Sequence, residues 1–147
     1  MALRKTIILV LCLYCSWIYY FEMKGFLFEN NVRLLSHEMF TINYLLNLGN
    51  DISLLPRSLV QGQRTADILM WDLIWEIKTP RGHAKSAIHN AFRRGHKQSC
   101  YIVLDLRKIN GSQINAIARA KNEFEKYSFI KRLLIISNVL PLIDIKR

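Results

Sequence analysis

Acidic residues are scarce in this chain. Asp and Glu number 11 against 21 Lys and Arg, a formal net charge of +10 over 147 residues. The excess implies an anionic partner, either nucleic acid or an acidic membrane surface, and by itself does not choose between them. Cysteines are few: Cys12, Cys15 and Cys100. Their number is odd, and Cys12 and Cys15 have no second pair and no histidines nearby, which excludes a disulfide framework and a zinc-finger spacing. With 3 prolines and 6 glycines there is no low-complexity tract, and no internal repeat appears. What is there is globular: 51% apolar, 22% charged, long enough for one ordinary domain and too short for two.

Residues 1–30 stand apart. Arg4 and Lys5 precede an apolar run from Ile7 to Phe21, somewhat short of the roughly 20 residues that span a bilayer. Tyr19, Tyr20 and Phe21 make poor neighbours for a signal-peptide cleavage site. Three readings stay open for this segment: membrane association through residues 6–21, a helix covering the core, or an appendage outside the fold. The domain proper is then 31–147. A helix is expected over Asn31–Leu48, where Leu34, Leu35, Met39, Ile42, Leu45 and Leu46 recur at spacings of three and four before Gly49. A short strand follows at 51–56 and a loop at 57–65. Ala66–Met70 and Leu73–Lys78 read as a hairpin around Trp71-Asp72, then helices over 83–96 and 110–127 alternate with strands at 101–106 and 132–137. A last strand covers 142–146. This order predicts an α/β domain, a mixed sheet flanked by helices.

Three charged residues inside the hairpin require a reason. With Trp71 and Asp72 as the loop, Asp67 falls opposite Glu76, and Lys78 shares their face because side chains alternate with period two. Two opposed carboxylates repel by up to roughly 1 kcal/mol. Lys78 relieves part of that, and a divalent cation with a taste for oxygen ligands would relieve more. Such an ion lowers the pKa of a bound water and steadies a leaving oxygen, while Lys78 would neutralise charge on phosphorus. The chemistry so described is phosphodiester hydrolysis. The plain alternative is a solvated strand face with a salt bridge.

The stretch 64–107, RTADILMWDLIWEIKTPRGHAKSAIHNAFRRGHKQSCYIVLDLR, resembles the PD-(D/E)xK nuclease superfamily. It is most similar to the C-terminal tRNA nuclease domains of CdiA-type contact-dependent growth inhibition toxins. Trp75-Glu76-Ile77-Lys78, Gln98-Ser99 and Asp105-Leu106-Arg107 carry the resemblance. Ala66 stands where the superfamily has its proline, which is not a ligand. The resemblance implies a restriction-endonuclease-like core and metal-dependent RNA cleavage, tRNA foremost. Asp67, Glu76 and Glu38 would hold the metal, Mg²⁺ foremost with Mn²⁺ or Zn²⁺ as alternatives, and Asp67, Glu76 and Lys78 would be catalytic. It further implies a toxin delivered to the cytoplasm of a target cell. A chain this basic would suit an acidic immunity protein.

Around this centre, Arg81, Lys85, His89, Arg93, Arg94, Lys97 and Gln98 are candidate nucleic-acid contacts, holding phosphates without sequence choice. Their alternative is a solvated helix surface, with Gln98 capping the helix end. Asp105 and Arg107 read as a buried pair fixing the sheet, Trp75 as core, and Trp71 as freer to meet a ligand. Two other functions remain in play, a DNA endonuclease of the same fold and a non-catalytic nucleic-acid-binding remnant.

Overall fold

The computed structural model describes residues 24–30, 32, 35–56 and 65–147. Its centre is a seven-stranded sheet in the order β1-β2-β3-β4-β6-β8-β9. The strands are β1 (Leu27–Phe28), β2 (Ile52–Leu54), β3 (Ile68–Met70), β4 (Leu73–Lys78), β6 (Tyr101–Asp105), β8 (Arg132–Ile136) and β9 (Ile143–Lys146). The middle three, β4, β6 and β8, run parallel. The β2–β3, β3–β4 and β8–β9 pairs are antiparallel. The expected mixed sheet with covering helices is what forms. One strand lies in the stretch the sequence had set apart: β1 joins the sheet in parallel with β2. Residues 6–21, Cys12 and Cys15 fall outside the described residues, as does most of the loop 57–65.

Burial of both faces explains why the central strands read as continuous apolar runs. Helix α1 (Ser36–Asn47) covers one face, where Ile42 and Leu45 meet Ile68, Trp75, Ile77, Val103, Leu134 and Ile136. Helices α2 (Ala84–Gly95) and α3 (Gln113–Lys126) cover the other. There Ile88, Phe92, Ile117 and Phe124 meet Ile102, Leu104, Leu133 and Ile135. The side chains of β6 therefore alternate between two cores, Val103 into one and Ile102 and Leu104 into the other. A two-stranded pair outside the main sheet, β5 (Gly82–His83) with β7 (Ile109–Asn110), links the loops that follow β4 and β6.

Helix α1 starts at Ser36 rather than at 31. Leu35 is its N-cap in extended conformation, and Glu38 reaches back to accept the Leu35 N–H at 2.9 Å. It ends as the sequence indicated, with Gly49 just past the C-cap at φ 79°, a conformation open to a residue without a Cβ. Ser112 caps α3 by accepting the Asn115 N–H at 3.3 Å.

The hairpin turns on Trp71 and Asp72, whose φ values of 57° and 58° are those of a two-residue turn matched to strand twist. Its register pairs Met70 with Leu73, Leu69 with Ile74 and Ile68 with Trp75, as predicted. One step further the ladder slips. Asp67 donates its N–H to the Trp75 carbonyl at 3.0 Å, although Ile68 is the partner of Trp75. Two residues of one strand thus serve one of the other, as in a bulge. The expected ladder pair of Asp67 with Glu76 does not form. Instead the Asp67 carboxylate turns along β4 and accepts the Ile77 N–H at 2.7 Å.

Candidate functional site

Asp67 precedes β3, while Glu76 and Lys78 lie two residues apart on β4, so both point to the face that carries α2. Ile102 and Leu104, their partners on β6, face the same way. Gln98, three residues beyond α2, comes back over this point. Lys78 Nζ donates to Glu76 Oε1 and, at 3.3 Å, to Gln98 Oε1. The three groups expected to converge do converge, by a backbone slip rather than by ladder pairing. They line a cleft of about 600 Å³ whose far walls are His37 and Glu38 of α1 and Asn90 and Arg94 of α2, with Arg81 in the loop after β4.

The electrostatics are those of crowded carboxyls at the floor of a cleft, largely withdrawn from water. Glu76 is 1% exposed. Burial first, and the charge of Asp67 second, push its carboxyl from the usual 4.5 up to about 8, against the pull of Lys78. Asp67 is likewise raised, chiefly by burial and further by Glu38; the Ile77 N–H and Lys78 oppose this. At neutral pH the pair holds a proton, which Glu76 shares with Asp67. Stripped of that proton, Glu76 Oε2 is a buried oxygen with no donor facing it. A buried acceptor without a donor costs about 1–3 kcal/mol, more when charged.

Those donors fit a hard cation in part. Among the described residues no three His, Cys, Asp or Glu side chains are grouped so as to hold a metal by themselves. Glu38 reaches Asp67 through its field, and one of its oxygens is bonded to the Leu35 N–H. Asp67 and Glu76 could therefore offer such an ion two carboxyl groups, and the remaining ligands would have to come from outside these side chains. Mg²⁺ and Mn²⁺ accept that arrangement; Zn²⁺, which prefers nitrogen and sulfur donors, suits it less well.

A family model of the contact-dependent growth inhibition CdiA C-terminal domain matches residues 64–139, just over half of the chain. The chain belongs to this family. It is therefore a toxin domain of contact-dependent growth inhibition. The match takes in the hairpin, α2, β6, α3 and β8, and leaves out Glu38. Among solved structures, the CdiA-CT/CdiI toxin and immunity complex from Burkholderia pseudomallei resembles it with a TM-score of 0.55 at 15% identity. That alignment covers 84% of this chain and 100% of the other, a likeness of fold. No curated protein sequence matches significantly.

In this CdiA C-terminal domain the candidate nucleic-acid contacts divide. Arg81, Arg94 and Gln98 line the cleft. Lys85, His89, Arg93 and Lys97 are exposed outside its walls. The face of α2 that borders the cleft runs through Ala87, Asn90, Ala91 and Arg94, so of the candidates on α2 itself Arg94 alone reaches it. His89 Nδ1 instead meets Glu123 Oε2 of α3 at 3.1 Å. Asn90 and His37 were missed in the sequence, and Asn90 was findable from its three- and four-residue spacing to Ala87 and Arg94. Asp105 and Arg107 form the expected buried pair, 2.6 Å apart, with Thr41 Oγ1 donating to the same Asp105 oxygen at 2.7 Å. Trp75 is core. Trp71 is partly exposed, its Nε1 donating to Asn50 Oδ1 at 3.0 Å and its ring lying 4.3 Å under the Arg132 guanidinium. No helix among the described residues is long and apolar enough to cross a membrane.

Proposed function

We propose that this toxin domain is a metal-dependent endoribonuclease of the PD-(D/E)xK type, cutting tRNA foremost. The observation that carries the proposal is Glu76 Oε2. It is a buried carboxyl oxygen that, once its proton is shed, has no donor, beside a second carboxyl and an ammonium, at the floor of a cleft edged by Arg81 and Arg94. A purely structural salt bridge gains nothing from the second acid. A divalent ion held by Asp67 and Glu76 would supply an activated water and stabilise developing negative charge.

The chain's own residues do the rest. Asp67 is aimed by its bond to the Ile77 N–H. Lys78 holds its ammonium at the cleft floor between Glu76 and Gln98, placed to offset charge building on a phosphate oxygen. Arg81 and Arg94 hold the flanking phosphates, an interaction indifferent to sequence. Delivered into a target cell, such a domain would act in the cytoplasm.

The test is cleavage by the purified chain of total tRNA and of plasmid DNA, each with Mg²⁺ or with EDTA. Expected is cleavage of the RNA with Mg²⁺ alone. Cleavage of plasmid in preference to RNA would make it a deoxyribonuclease, and intact polynucleotides under every ion would end the enzymatic reading. The solved relative is a toxin and immunity complex, and the +10 charge here suits an acidic immunity protein. The product of an acidic neighbouring gene should bind at low salt and block cleavage.

A further inference from the structure

The candidate site leaves one element without a task, the turn Gly95–Ser99 that leads from α2 into β6. The side chains of Gln98 and Ser99 are committed inward. Gln98 Oε1 accepts from Lys78 Nζ at 3.3 Å, and Gln98 Nε2 donates to the Thr65 carbonyl at 3.2 Å. Thr65 stands two residues before Asp67. Ser99 Oγ donates to the Ile74 carbonyl of β4 at 2.6 Å and accepts the Tyr101 N–H of β6 at 2.9 Å. The Gly95 carbonyl accepts the N–H groups of both Gln98 and Ser99, at 2.9 and 3.1 Å. A Cβ at Gly95 would meet Lys78 Cγ and Cε at 3.6 Å each and Ile102 Cδ1 at 3.0 Å. The helix end thus sits down on the lysine's stem while the following glutamine holds its head.

An amide whose oxygen and nitrogen are both bonded within the protein is poorly placed to grip a phosphate. We infer that Gln98 is a positioning residue for Lys78, and that Ser99, by stapling the turn to β4, holds Gln98 in place. This deepens the nuclease reading and rests on it. A four-carbon stem with a free head samples many rotamers. Contact with Gly95 along the stem and a bond from Gln98 at the head narrow these to the one that aims the ammonium into the cleft.

The discriminating variant is Gln98→Leu in the full chain, similar in size and unable to accept from Lys78. With total tRNA and Mg²⁺, kcat should fall ~10-fold or more while KM moves less than about twofold, the signature of a lost orienting contact. A raised KM with kcat unchanged would make Gln98 a phosphate contact and overturn the inference, as would no change in either. Lys78 labelling by acetic anhydride, mapped by mass spectrometry, needs no activity. In Gln98→Leu and in Ser99→Ala, Lys78 should label several-fold faster while exposed lysines such as Lys85 and Lys97 do not change. Unaltered Lys78 labelling in both folded variants refutes the positioning role. A parent chain that cuts no RNA would instead refute the nuclease reading, and the labelling result would still decide what Gln98 does.

Discussion

Glu76 behaves as a carboxyl that the fold has pushed out of its ordinary range, and this gives the residue two measurable signatures. Its folded pKa of about 8 lies above the ordinary 4.5. Between those values the native protein keeps a proton that the unfolded chain has shed, so stability falls as pH rises through that window. At about 1.4 kcal/mol per unit the full loss is at most on the order of 5 kcal/mol. Urea midpoints in EDTA should therefore drop from pH 5 to pH 8. Mg²⁺ should shrink the drop, and Glu76→Gln should remove most of it. Equal midpoints at both pH values in the parent would contradict the buried-acid account. In catalysis, Glu76→Ala should lose at least about 10²-fold in cleavage rate, since a ligand and its transition-state stabilisation go together. The sequence displayed this residue, with Lys78, because period-two alternation puts positions 76 and 78 on one face wherever β4 lies. It did not display how Asp67 arrives, because a slipped ladder depends on where the backbone bonds fall. The buried Oε2 atom was also invisible, since it takes α2 packed over the strand to remove its water.

At the scale of elements, the patterned pieces were legible, down to the three-residue strands β2 and β3, and the two-residue strands were not. Helices α2 and α3 and the buried strands β4, β6 and β8 carry enough periodic residues to declare themselves. Strands β1, β5 and β7 have two residues each, too few for any period, and exist only because a neighbouring strand or loop offers them partners. The start of α1 was misplaced for a related reason. Leucines at 34 and 35 extend the helical pattern, yet Leu35 is an N-cap with no side-chain acceptor to offer. Glu38 already stands at the third helical position and reaches back, so Leu35→Ser would complete a reciprocal cap. The variant should gain about 0.5–1 kcal/mol in urea unfolding. The hairpin turn offers a second check. Asp72 is held at φ 58°, where glycine is at ease, so Asp72→Gly should be neutral or stabilising by up to about 1 kcal/mol. A marked loss of stability there would mean the carboxylate has a partner in solution.

Over the whole molecule the surplus of cations sets a long-range attraction for any polyanion, and under the proposed nuclease reading the cleft would decide where the chain of phosphates is gripped. The two contributions separate by their salt dependence. Each cation that displaces a counterion on a single strand adds about 0.7 to the slope of log affinity against log salt. Arg81 and Arg94 line the cleft, whereas Lys85 and Lys97 lie outside its walls. Binding of tRNA by catalytically silent Glu76→Ala, followed by fluorescence anisotropy from 50 to 300 mM salt, should show the difference. Adding Arg81→Ala and Arg94→Ala together should lower the slope by about 1.4 if both meet phosphates in the bound complex. Adding Lys85→Ala and Lys97→Ala should remove the same net charge and change the slope by less. Were the two double replacements to act alike, the general field alone would hold the RNA, and the cleft between α1 and α2 would lose its claim to be where the backbone lies.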